Sequence, residues 1–163
     1  MKIGVERLKV RTKRPFAISR GSSDVFERVI LTLEEGGVTG RGEAAPTDYY
    51  GGSAASVAEA LAGTQVRDPW DIEGALGENY DLHPSALAAL DSALHDLAAR
   101  RLGVPVYRLL GLARPQPTSA YTLGIADPET TLREAERLRG FTILKMKVGS
   151  REDMATVRAV AGA

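Results

Sequence analysis

With 163 residues and 44% hydrophobic content, the chain is long enough to bury a core of its own and has the composition of a globular domain. Lysine plus arginine and aspartate plus glutamate balance at 21 each, so no bulk charge draws it to nucleic acid or an anionic membrane, and small-molecule chemistry is the better expectation. The absence of cysteine excludes disulfides, thiolate metal sites and cysteine nucleophiles, and two histidines leave little room for zinc.

Met1-Lys2-Ile3-Gly4 leads into alternating apolar and polar residues and not into a charged, apolar and small-residue series, so no secretory signal is expected and a cytoplasmic location is the default. The apolar stretches are broken by charges well short of the roughly 20 residues that cross a bilayer. Strands are predicted at Ile3, Val5 and Leu8 to Val10, then over Val29 to Leu33. A Glu34-Glu35-Gly36-Gly37 turn and a strand from Val38 to Gly42 follow; a glycine pair between β-branched runs marks a hairpin. Gly51-Gly52-Ser53 closes an irregular segment, and Ser53 is placed to cap a helix through Leu61.

From Ser85 to Leu102 the apolar residues Leu87, Leu90, Ala93, Leu94, Leu97 and Ala98 recur at three- and four-residue spacing, which predicts one helical stripe. His83-Pro84-Ser85 supplies a start signal and Gly103 with Pro105 a stop. Val106 to Leu110 predicts a short helical turn. After Arg114-Pro115-Gln116-Pro117 the pattern becomes strand (Thr118 to Ile125), helix (Pro128 to Leu138), strand (Phe141 to Val148), then a helix beginning near Arg151 and running to Ala163. Such a crossover makes the two strands parallel neighbours. A parallel pair with so few helices leaves faces and edges bare, so the segment reads as the opening of a larger α/β structure.

The strongest chemical signal is Leu144-Lys145-Met146-Lys147-Val148. A period of two puts both lysines on one strand face and the apolar residues on the other. Two neighbouring ammonium groups disfavour each other's charge, which suits one of them to act as a base near neutral pH. Taken alone, the same pattern is what a solvated edge strand shows, because lysines there blunt unwanted pairing. Context changes the balance, since the second lysine lies at the C-terminal end of a strand in a β-α-β unit, where parallel barrels carry catalytic groups.

Several segments, in order, resemble the muconate-lactonizing-enzyme subgroup of the enolase superfamily, and most closely its dipeptide epimerases. They are Arg14-Pro15-Phe16 with Ser19-Arg20-Gly21, Gly40-Arg41-Gly42-Glu43-Ala44-Ala45-Pro46, and Ala89 to Leu97. Gly103-Val104-Pro105-Val106-Tyr107, Leu109-Leu110-Gly111, Tyr121-Thr122-Leu123-Gly124-Ile125 and the lysine pair continue the series. The resemblance implies an α+β capping domain over residues 1 to 112, followed from residue 113 to 163 by the first strands and helices of a modified parallel (β/α) barrel, truncated.

It further implies an isomerase that inverts the α-carbon of a dipeptide, of the L-Ala-D/L-Glu type, by 1,1-proton transfer. Lys147 would be one of two lysines flanking that carbon, and Lys145 would contact the substrate carboxylate and help keep Lys147 usable as a base, so that both are candidate catalytic residues. Thr122 would contact substrate, although a β-branched strand residue needs no such role. Arg20 lies in the loop that sets specificity in this family, where a guanidinium can grip a carboxylate, or simply be solvated. Tyr49 and Tyr50 are weaker candidates for a second loop.

The family cofactor is magnesium, which binds the carboxylate oxygens and offsets the developing charge. Its ligands and the opposing lysine are expected on later strands and not within this sequence. Glu43 is expected to be structural, binding local backbone donors, and Asp91, His95 and Asp96 are expected to be packed or paired helix residues and not metal ligands. Three alternatives stay open: a muconate cycloisomerase, an o-succinylbenzoate synthase, and a non-catalytic capping-domain fragment. The expected partner is a small dipeptide, with no nucleic acid or membrane, and a homo-oligomer is left open.

Overall fold

The computed structural model describes residues 1–114 and 116–162; Pro115 of the expected linker and Ala163 at the end of the last expected helix lie outside them. The chain forms two compact units, one of Met1–Val10 with Glu27–Pro115, the other of Arg11–Phe26 with Gln116–Ala163.

Strands β1 (Lys2–Ile18), β2 (Gly21–Glu35) and β3 (Val38–Ala44) form a sheet in the order β1-β2-β3, of which residues 2–10, 27–35 and 38–44 belong to the first unit. The antiparallel β2–β3 register sets Val29 against Ala44, Leu31 against Gly42 and Leu33 against Gly40. Val29, Leu31 and Leu33 alternate along β2 and are fully buried, so one face of the strand carries this core. Helices α1 (Ala54–Ala62), α2 (Ile72–Glu78) and α3 (Pro84–Leu102) pack on it, and a short α4 (Val106–Leu109) follows. Each fully buried leucine contributes roughly 1.5–3 kcal/mol through removal from water.

Helix α3 forms as its sequence predicts. His83 caps it by accepting the Ser85 N–H at 3.2 Å, and Gly103 ends it in a left-handed conformation at φ 66°. Of the expected stripe, Leu90, Ala93, Leu94, Leu97 and Ala98 are buried, joined by Ala86, Ala89 and Ala99, while Leu87 is only half-buried. Small residues line the stripe because the sheet comes very close. A Cβ on Gly40 would lie 2.5 Å from the Leu97 nitrogen, and one on Gly42 would fall on the Ala89 carbonyl. Gly40-Arg41-Gly42 therefore exists to let α3 rest on β3 backbone to backbone. Asp96 of α3 fastens this contact by accepting the Arg41 N–H of the edge strand at 2.9 Å, while its carboxylate holds Arg100 at the same distance.

Two elements escape hydrophobic pattern reading. β1 and β2 extend far beyond the predicted strands, meeting at a Ser19-Arg20 turn where a loop was expected. Residues Val10 to Pro15 of β1 are all exposed, so no apolar alternation marks them. Cross-strand ion pairs mark them instead: Lys2 with Glu34 at 3.4 Å, Arg7 with Glu27 at 3.3 Å, Arg11 with Asp24 at 3.0 Å. Helix α2 is short and contains Gly74 and Gly77, which weaken a helical pattern; Asp71 starts it by accepting the Gly74 N–H at 3.0 Å.

In the second unit, β4 (Ala120–Leu123), α5 (Pro128–Arg137), β5 (Ile143–Met146) and α6 (Asp153–Ala161) follow in order, and β4 pairs with β5 in parallel. Both strands are shorter than predicted, but the β-α-β unit and the second helix are as expected. Among the described residues no helix is long and apolar enough to cross a membrane.

Candidate active site

The parallel register aligns Thr122 with Lys145 and Leu123 with Met146. Side chains therefore sort onto two faces. Leu123, Leu144 and Met146 lie on one, packed against Ala135 and Leu138 at the end of α5 and Val160 of α6. Ala120, Thr122, Ile143 and Lys145 lie on the other, and Lys147 continues that face with its N–H donating to the Leu123 carbonyl at 3.0 Å. On the latter face Ala120 and Lys145 are exposed, Ile143 is 46% exposed, and Thr122 and Lys147 are half-buried. The structure thus brings together Thr122, Lys145 and Lys147 on the face away from the helices.

The loops leaving the two strands are each closed by a carboxylate. Asp127 caps α5 by accepting the Thr130 N–H at 2.9 Å, and this backbone bond, with the Thr130 hydroxyl and Arg133, holds its carboxyl below the usual carboxylate range. Asp153 accepts the Gly149 N–H at 2.6 Å and the Ser150 N–H at 3.1 Å; those two bonds, Gly149 first, hold its carboxyl low as well. The backbone that follows Lys147 is tied down in this way. Sequence reading missed Asp153, whose signal is an acidic residue in the first turn of a helix directly after a Gly-Ser loop.

Arg20 is exposed at the turn of the β1–β2 hairpin, and residues 11–26 of that hairpin belong to the same compact unit as the lysines. The Ala17 carbonyl accepts the Ile125 N–H at 2.9 Å, so the hairpin lies against the backbone that leaves β4. Tyr49 and Tyr50 belong to the first unit. They form a 3-10 turn with their rings edge to face at 4.8 Å, and His83 Nε2 sits 3.2 Å from the Tyr50 carbonyl.

Glu43 is structural in a different way from the one expected: its carboxylate pairs with Arg28 of the neighbouring strand at 3.1 Å and not with local backbone donors. The cause is register, which places Ile30 opposite Glu43 and so brings the Arg28 side chain within diagonal reach. His95 leans back on Asp91 at 3.0 Å while Asp96 serves Arg41 and Arg100, so these residues are engaged separately. Among the described residues no group of three His, Cys, Asp or Glu side chains is arranged to hold a metal ion, and the chain offers magnesium no site of its own among them.

Residues 2–111 match the family model for the mandelate racemase / muconate lactonizing enzyme N-terminal domain. The chain is 35% identical over 98% of its length to a hydrophobic dipeptide epimerase of Roseobacter litoralis, covering 48% of that protein. It is 33% identical, again over 98%, to an L-Ala-D/L-Glu epimerase of Bacteroides thetaiotaomicron, covering 45% of it. A crystal structure of a dipeptide epimerase from Enterococcus faecalis, complexed with magnesium and L-Leu-L-Tyr, superposes with a TM-score of 0.89 at 29% identity over 98% of this chain and 49% of that one. The chain spans about half the length of the relatives it matches.

Proposed function

The chain belongs to the mandelate racemase / muconate lactonizing enzyme family, and from that premise we propose that it is the N-terminal part of a dipeptide epimerase of the L-Ala-D/L-Glu type, inactive by itself. Residues 1 to 112 are its capping domain and residues 113 to 163 open its barrel. The observation that carries the reading is the common face of Thr122, Lys145 and Lys147, opposite the face covered by α5 and α6. Lys147, half-buried at the end of β5, takes the α-proton from one side of the substrate. Loss of that proton beside a carboxylate builds a second negative charge, which the Lys145 ammonium two residues away on the same face offsets. Thr122, level with Lys145 on the neighbouring strand, contacts the dipeptide.

Magnesium belongs to the complete enzyme in this reading, with support from the metal in the Enterococcus faecalis complex, and its ligands come from outside the described residues. Arg20 on the hairpin turn suits an acidic substrate side chain, because a guanidinium binds a carboxylate through two parallel hydrogen bonds. This favours L-Ala-L-Glu over a hydrophobic dipeptide. The test is the intact protein with magnesium, incubated separately with L-Ala-L-Glu and L-Leu-L-Tyr and followed by chromatographic separation of the diastereomers. The expected result is L-Ala-D-Glu formed with kcat/KM at least about tenfold above that for L-Leu-L-Tyr, a difference of roughly 1.4 kcal/mol in transition-state binding. No epimer from either dipeptide would overturn the proposal, and preference for L-Leu-L-Tyr would overturn its substrate assignment.

A further inference from the structure

Within the second unit, the hairpin segment 11–26 is held to the β-α-β segment at three points. The Arg14 guanidinium pairs with the Glu134 carboxylate of α5, and the other oxygen of that carboxylate holds Arg137 at 3.0 Å. The Ala17 carbonyl accepts the Ile125 N–H at 2.9 Å. Gly124, next to Ile125 and two residues past Thr122, passes directly beneath the hairpin: a Cβ there would lie 3.2 Å from both the nitrogen and the oxygen of Ala17 and 3.5 Å from the Phe16 ring. Backbone lies on backbone here, and only glycine permits that approach without a shift. Below the turn the strands are themselves clamped by the Arg11–Asp24 pair at 3.0 Å.

We propose that Arg14 and Glu134 form a latch that fixes the hairpin turn against the end of β4 before any ligand arrives, and so act as positioning residues for Arg20 in dipeptide binding. The binding consequence rests on the epimerase reading; the latch itself does not. Glu134 is suited to the task because its side chain is only 21% exposed and Arg137 holds its second oxygen, so the carboxylate is aimed before Arg14 reaches it. A turn tethered at Ile125 and at α5 presents Arg20 in a restricted set of positions, and substrate binding then orders less of the chain.

The Ile125 amide reports the latch directly, and hydrogen exchange at that amide is measured in the intact, ligand-free protein. Arg14→Met and Glu134→Gln are expected to speed exchange roughly twofold to fivefold, the range set by an exposed ion pair. Arg14→Lys, which keeps the charge, should return it towards the parent rate. With L-Ala-L-Glu and magnesium, the same two variants should raise KM by a similar factor and leave kcat within a factor of two. Unchanged exchange in both variants overturns the latch. Faster exchange with unchanged KM overturns the positioning role. If the parent protein turns over no dipeptide, the epimerase reading fails separately and the exchange measurement alone decides the latch.

Discussion

Replacing Gly42 by alanine tests the packing argument most severely, because the obstruction is backbone. Gly42 faces the helix side of the sheet opposite Leu31. An added Cβ falls on the Ala89 carbonyl and lies 2.8 Å from its carbon and 2.9 Å from the Ala93 nitrogen, all main-chain atoms of α3. No rotamer change relieves this. Carbon contacts settle at about 3.5–4.0 Å, so α3 must retreat by roughly 1 Å, and a gap of that size forfeits a quarter to a half of each dispersion contact along the seam. The seam carries Leu90, Leu94 and Leu97, all fully buried. Overpacking costs about 1–3 kcal/mol where side chains can yield; here about 3 kcal/mol is expected. For a unit of this size that lowers Tm by roughly 10–20 °C. Urea and thermal unfolding followed by far-UV circular dichroism measure it. A Gly42→Ala protein within about 0.5 kcal/mol of the parent would refute the claim that the sheet and α3 are in backbone contact.

The same reasoning gives the opposite sign at Gly77, where an added Cβ meets nothing within 4 Å. Gly77→Ala should therefore stabilise by about 0.5–1 kcal/mol through helix propensity, read as a higher urea midpoint at unchanged m-value. Asp96→Ala removes the acceptor of the Arg41 N–H and the partner of Arg100, and is expected to cost about 1.5–2 kcal/mol, with Asp96→Asn costing less, again by urea unfolding. Asp127 and Asp153 both carry carboxyls held below the ordinary aspartate value by backbone N–H bonds. A depressed native value means that the unfolded chain binds more protons, so their contribution is complete above the ordinary value and is lost as pH falls through the native one. Amide exchange in α5 and α6 should therefore accelerate as pH falls below the ordinary aspartate range, after correction for intrinsic rates, and Asp127→Asn should flatten that dependence in α5.

Local rules made α3 legible: its period, its proline start and its Gly103 stop all act within a few residues. The shared face of Lys145 and Lys147 was legible for the same reason, since parity along one strand needs no partner. Thr122 required more, because its place beside Lys145 depends on the register between strands separated by a helix. Glu43 shows the limit clearly; its partner Arg28 is a cross-strand neighbour that neither residue's surroundings announce. The long hairpin was hidden because its outer half is held by ion pairs and by the Arg14–Glu134 contact, which leave no hydrophobic period to read. Gly40 and Gly42 stood out as a motif, but the reason, a helix resting on them, appears only in three dimensions.

Exchange of a dipeptide α-proton by Lys147 is measured by solvent deuterium incorporation. The intact protein with magnesium is incubated with L-Ala-L-Glu in D2O, and the glutamate α-proton signal is followed by NMR for the parent and for Lys147→Ala. With the parent that signal should be lost as deuterium enters and epimer forms, and Lys147→Ala, shown to be folded by circular dichroism, should form no epimer. Epimer formation by Lys147→Ala at a rate near the parent's would contradict exchange by Lys147.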